Sequence, residues 1–93
     1  MRTIKYTTQF RRDYKREKRT QHSADLDKKL SLVIDWLAMD MQLPESMHDH
    51  RLFGSWKDHR DCHVRPDLVL IYRKVGANTL ELVRLGSHSE LGL

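Results

Sequence analysis

Apolar positions follow two different periods along the chain, and the change from one to the other divides it. Leu26, Leu30, Val33, Ile34, Leu37 and Met41 recur at spacings of four, three, one, three and four. That is one face of a helix, so the segment is expected to be amphipathic with this stripe against a core. Ser23 suits its N-cap, because the hydroxyl can accept an otherwise unpaired backbone N–H. Asp25 and Asp27 suit its first turn, where the helix dipole favours acids. Leu43-Pro44 ends the pattern, and Trp36 lies off the stripe, free to pack on another element. An earlier helix is expected from a cap at Thr7 or Thr8 to about Arg19, with Phe10 and Tyr14 as its narrow apolar stripe. Gln21 and His22 read as the hinge between the two helices. Met1 to Tyr6 alternates and predicts a short first strand.

Beyond Pro44 the period changes to two. Glu45 to Asp49 reads as a connecting loop, Arg51-Leu52-Phe53 as a short strand broken by Gly54-Ser55, and Trp56 as the anchor of that loop. From His59 the order His, Arg, Asp, Cys, His, Val puts His59, Asp61 and His63 on one strand face and Arg60, Cys62 and Val64 on the other. Arg65-Pro66-Asp67 is turn chemistry. Leu68 to Tyr72 then supplies the return strand of a hairpin. Gly76-Ala77-Asn78 makes the next turn. Thr79 to Leu85 alternates again, with Leu80, Leu82 and Arg84 on one face and Glu81, Val83 and Leu85 on the other. Gly86-Ser87-His88 leaves that strand. The predicted fold is α+β, two N-terminal helices packed on a twisted antiparallel sheet in the order β-α-α-β-β-β, with residues 1–93 as a single domain.

Composition narrows the function classes. At 93 residues the chain has room for one modest core. The one cysteine, Cys62, cannot form an internal disulfide and reads as a small core residue. No apolar run is long enough to span a membrane and no flanked apolar segment suggests export, so a cytoplasmic protein is expected. The net charge of +4 is uneven: residues 1–30 carry ten Lys or Arg against four acids, and residues 31–93 seven against nine. Arg11, Arg12, Lys15, Arg16, Lys18 and Arg19 crowd the first helix and could track a phosphate backbone such as rRNA. A solubilising outer face partly paired with Asp13 and Glu17 accounts for the same residues.

The stretch His50 to Tyr72 holds three of the six histidines on what reads as a rigid sheet and its turn. Histidines and acids beside an arginine suit RNA cleavage. The 2′-hydroxyl is an internal nucleophile that needs a base, the leaving 5′-oxygen needs an acid, and the phosphate needs a cation. Imidazole, with an ordinary pKa of about 6.5, serves either proton-transfer role. Arginine matches phosphate oxygens with a fixed donor fork, and aspartate can orient an imidazole or act as base. Such a reaction needs no metal or other cofactor. A solvated Asp61–His63 surface pair explains the same strand without chemistry. His48 and His50 could begin a metal site, but no third and fourth ligand completes a zinc pattern.

The strings HRLFGSWKDHRDCHVRPDLVLIY and LELVRLGSHSEL resemble the RelE/YafQ family of bacterial type II toxins, closest to the YafQ-like branch, over nearly the whole chain. The resemblance implies a compact microbial-RNase-like α+β domain that cleaves mRNA in the A site of the 70S ribosome, arrests growth and is inhibited by a cognate antitoxin. It implies that the toxin–antitoxin complex reaches operator DNA through the antitoxin, with no membrane involved. The family's functional positions fall on His50, Asp61, His63, Asp67 and His88, with an arginine at Arg84. Where YafQ-like toxins end in Leu-Phe-Gly, this chain ends Leu91-Gly92-Leu93, without the aromatic that could stack near the message. Two other readings stay open: a non-catalytic nucleic-acid- or ribosome-binding protein, and a metal-binding protein using His48 and His50.

Overall fold

The computed structural model describes residues 1–20 and 23–93. Strand β1 (Thr3–Tyr6) leads into helix α1 (Thr8–Glu17) and helix α2 (Leu26–Ala38). Strands β2 (His50–Arg51), β3 (Arg60–Arg65), β4 (Leu68–Val75) and β5 (Thr79–Gly86) follow, and a short helix α3 (His88–Leu91) closes the chain. The strands form one sheet in the order β1-β5-β4-β3-β2. As expected, the helices pack on a twisted antiparallel sheet. The short β1 adds itself in parallel along β5, pairing Thr3 with Thr79 and Tyr6 with Leu82.

Thr7 caps α1, its hydroxyl accepting from the Phe10 amide. The second helix starts later than Ser23 would set it. Asp25 occupies the cap position in the left-handed region at φ 60° and makes no side-chain cap bond, while the Ser23 amide donates to the Thr20 carbonyl. The expected hinge at Gln21 and His22 lies outside the described residues. Leu26, Leu30, Val33 and Leu37 are buried as the period predicts, with Ile34 and Trp36 packed against them. Met41 is not part of that stripe: α2 ends at Ala38, and Met41 is exposed while Leu43 is buried. Leu43, beyond the helix, supplies the last apolar contact from that segment.

Cys62 and Val64 of β3, Leu68, Leu70 and Tyr72 of β4, and Leu80, Leu82 and Leu85 of β5 meet the helices in this core. The β3 parity is therefore as predicted, and Cys62 is a buried free thiol. The β5 parity is not. A bulge between the Tyr72–Leu82 and Ile71–Arg84 pairs places two residues of β5 against one step of β4. It returns Leu85 to the core with Leu80 and Leu82, and sets Arg84 opposite Ile71. A period-two count cannot see the extra residue. The opposite sheet face carries a second, smaller cluster of Val69, Ile71 and Leu91, flanked by Leu52, Trp56 and Val83.

Candidate functional site

The second face of the sheet carries the histidines in two cross-strand rows. Register puts His50, Asp61, Ile71 and Arg84 in one row across β2, β3, β4 and β5, and His63, Val69 and Gly86 in the next. Paired residues in such a row bring their side chains within contact of one another. His50 Nδ1 lies 2.9 Å from Asp61 Oδ1. The Asp61 carboxylate is 1% exposed, and Oδ1 receives no aligned hydrogen bond among the described residues. Burial pushes this carboxyl above its ordinary value, and the imidazoles of His50, His63 and His88 pull it back only in part.

Gly86 leaves its end of the second row open, and the chain turns there to bring His88 back over it. Ser87 and Glu90 form a capping box that starts α3, and Leu91 plugs into Val69 and Ile71. A Cβ at Gly86 would meet Arg16 Nη2 at 2.8 Å and Glu90 Oε1 at 3.2 Å, so a larger residue there would displace the Arg16 and Glu90 side chains that join α1 to α3. The ring centroids of His63 and His88 are then 5.1 Å apart, and His48 packs at 5.1 Å on another side of His63. Burial, with the neighbouring His88 and His48 rings, holds His63 below the ordinary imidazole value against the pull of Asp61. The loop carrying His48 and His50 is pinned by Asp49, which accepts from the Tyr72 hydroxyl at 2.6 Å and Arg60 Nε at 3.1 Å.

Two features of the site departed from a linear reading. Asp13 and Glu17, expected as partners on an outer face, are buried at 2% and 1% exposure. They lie at the i+3 and i+7 positions from Phe10, on the inward row, and that spacing was the available signal. Where β1 ends, α1 takes over the free edge of β5: Asp13 Oδ2 accepts the Leu85 amide at 3.0 Å, and Arg16 Nη2 donates to the Leu85 carbonyl at 2.8 Å. Arg84 is drawn into the same knot. Its Nε donates to Asp13 Oδ2 at 2.7 Å and its Nη2 to Oδ1 at 3.2 Å, with the side chain 24% exposed. Arg16 also contacts Asp13 at 3.0 Å, Glu17 at 3.0 Å and Glu90 at 3.2 Å, so it ties α1 to α3.

Of the other basic residues, Lys18 is exposed and pairs with Asp27 at 2.9 Å. Arg11, Arg12, Lys15 and Arg19 are exposed, with Arg11 also over the Tyr6 ring at 5.3 Å. Asp67 sits exposed in the turn between β3 and β4, beyond the His63–Val69 pair. Gly92 stands in the left-handed region at φ 72°, a position that a phenylalanine would occupy only with strain. Among the described residues, no group of three or more His, Cys, Asp and Glu side chains is arranged to hold a metal ion, and no helix is long and apolar enough to cross a membrane.

Two N-terminal helices packed on one face of a twisted, mostly antiparallel sheet, with the histidines and Asp61 gathered on the other, form a RelE/YafQ-like α+β architecture. The family pattern described as "Bacterial toxin of type II toxin-antitoxin system, YafQ" matches residues 2–92, and the chain belongs to that family as the toxin component of a type II toxin–antitoxin system. It is 38% identical over 91 residues to the mRNA interferase toxin YafQ of Escherichia coli strain K12, covering 97% of this chain and 95% of the relative. A crystal structure of a histidine-to-glutamine mutant of E. coli YafQ superposes with a TM-score of 0.84 at 33% identity, covering 98% of both chains. YafQ in the E. coli DinJ–YafQ complex superposes with a TM-score of 0.79 at 34% identity, again covering 98% of both chains.

Proposed function

We propose that residues 1–93 act as one cytoplasmic toxin domain, a ribosome-dependent endoribonuclease that cleaves mRNA in the A site and so arrests translation and growth. The observation that carries this reading is the His63–His88 pair beside buried Asp61. A 2′-hydroxyl needs a proton acceptor that is unprotonated near neutral pH, and burial beside the His88 and His48 rings shifts His63 towards that form. His63 takes the 2′-proton as the 2′-oxygen attacks phosphorus, the bond from phosphorus to the 5′-oxygen breaks, and His88, as general acid, delivers a proton to the leaving oxygen. The products are a 2′,3′-cyclic phosphate and a free 5′-hydroxyl. His50, held against Asp61, is a further proton-transfer group that Asp61 orients, while Asp67, exposed in the neighbouring turn, is a further carboxylate for orientation or the base role. Arg84, fixed by Asp13, directs its remaining donors at the phosphate.

The relatives support this assignment: E. coli YafQ is an mRNA interferase toxin, and it has been solved in complex with DinJ. The partners are accordingly mRNA, the 70S ribosome with its rRNA, and a cognate antitoxin, through which the complex reaches operator DNA. Exposed Arg11, Arg12, Lys15, Lys18 and Arg19 face rRNA phosphates, while Arg16 holds the fold. Mapping mRNA 5′ ends with and without induction tests the reading. New in-frame 5′-hydroxyl ends on translated messages are expected, surviving EDTA once ribosome integrity is controlled. Intact message and normal growth with soluble protein present would overturn it.

A further inference from the structure

Beside His63, where β2 stops and leaves the outer edge of β3 without a neighbouring strand, lies a pocket of about 430 Å³. Lys29 of α2, Ser46, Met47 and His48 of the preceding loop, and Val64 to Pro66 of β3 and its turn line it together with His63. Its charged lining is all of one sign. Lys29 has no ion-pair partner among the described residues, Arg65 is steadied by its Nη1 donating to the Ala24 carbonyl at 2.8 Å, and no carboxylate lines the pocket. Apart from Ser46, its remaining wall is apolar or flat: Met47, Val64, Pro66 and the His48 and His63 rings. His48 is held there in the left-handed region at φ 48°, its amide closing a turn onto the Glu45 carbonyl. A non-glycine residue kept in that region is a cost that the surrounding structure must offset.

We propose that this pocket is a nucleotide subsite. It takes the nucleotide adjoining the scissile phosphate, with Lys29 and Arg65 meeting phosphate and His48, Met47 and Pro66 packing on the base. The volume falls within the range of small-ligand pockets, and a planar base joined to an anion matches a cationic rim beside a flat wall. The assignment rests on the nuclease reading for its purpose, but binding is measured without cleavage. It gives this chain, in which Gly92 rather than an aromatic follows Leu91, a base-contacting surface on the other side of His63.

The test is titration of a nucleoside 3′-monophosphate into the full-length, ¹⁵N-labelled toxin, with inorganic phosphate and an acidic peptide as comparators. Amide shifts are expected at Ser46, Met47, His48 and Arg65, larger for the nucleotide than for phosphate. Lys29→Gln should weaken binding about fivefold, the worth of one water-screened charge contact. His48→Asn, which keeps a residue tolerant of the left-handed backbone, should lose the preference for nucleotide over phosphate. Both sites are exposed, and thermal melts report the fold. Shifts confined to residues 11–19, indifference to both substitutions, or occupancy by the acidic peptide alone would overturn the proposal. Nucleotide binding at this pocket in a toxin that leaves mRNA intact would instead sink the nuclease reading and leave the subsite standing.

Discussion

Asp13→Asn is the substitution that most directly tests how the site is built. The carboxylate accepts four N–H groups, two on each oxygen: Arg84 Nε and the Leu85 amide on Oδ2, Arg16 Nη1 and Arg84 Nη2 on Oδ1. An amide can keep only one acceptor oxygen. The Leu85 amide is buried and has no access to water, so the oxygen should stay at Oδ2 and the NH₂ should face the two guanidinium donors. Two charge-assisted bonds are then lost, at about 1.5–3 kcal/mol each. The guanidiniums are 24% and 38% exposed and recover part of that from solvent. The net destabilisation should be about 2–3 kcal/mol, a fall in Tm of roughly 10–20 °C for a domain of this size. Asp13→Ala also orphans the Leu85 amide and should cost about 3–5 kcal/mol. Urea and thermal melts by circular dichroism measure both, and an Asp13/Arg84 double-mutant cycle isolates the pair. If Asp13→Asn melts within about 0.5 kcal/mol of wild type, the knot is a surface decoration and the account of Arg84 positioning fails.

His63→Gln or His88→Gln should lower cleavage on programmed ribosomes by about 10²–10⁴-fold with the melt unchanged; near wild-type rates from both well-folded variants would remove them from the chemistry. The acid limb of the pH–rate profile should lie below the ordinary imidazole value, because His63 is depressed, and a limb above it would contradict His63 as base. Asp61 has a raised folded-state value, so its favourable contribution is present below its unfolded value and lost as pH rises through the folded one. Asp61→Asn should therefore be the more stable protein near neutral pH while cleaving more slowly, and a lower neutral-pH Tm would refute the sign. Reversing Arg11, Arg12 and Lys15 should flatten the salt dependence of ribosome binding without unfolding the chain, whereas Arg16→Glu should unfold it, as equilibrium melts would show. Cys62, buried and with its thiol pushed far up by desolvation, should resist iodoacetamide until the protein is denatured; fast native-state alkylation, followed by mass spectrometry, would show the β3 core face to be open.

The sequence by itself determined the elements whose environment is uniform along their length. The Leu26–Leu37 stripe and the alternation of Asp61 and His63 with Cys62 and Val64 each turn one apolar side to the helix–sheet core, so period alone decides which way a residue faces. The candidates on β3 were legible for the same reason, His88 followed from the chain leaving its last strand at Gly86, and the resemblance added Asp67 and Arg84 and joined His50 to the set. Tertiary structure decided the rest, wherever one element finishes another's hydrogen bonding. The β5 bulge exists in the pairing with β4, so the swap of Arg84 and Leu85 has no trace in the alternation. Asp13 is buried because β1 stops short and α1 must satisfy the exposed edge of β5, a demand that no helical propensity encodes. His48 joins His63 only because Asp49 is fastened to Tyr72 and Arg60 from the far side of the loop. Local pattern sets the face a side chain shows, while the unpaired backbone and buried charge of distant segments set which side chains meet.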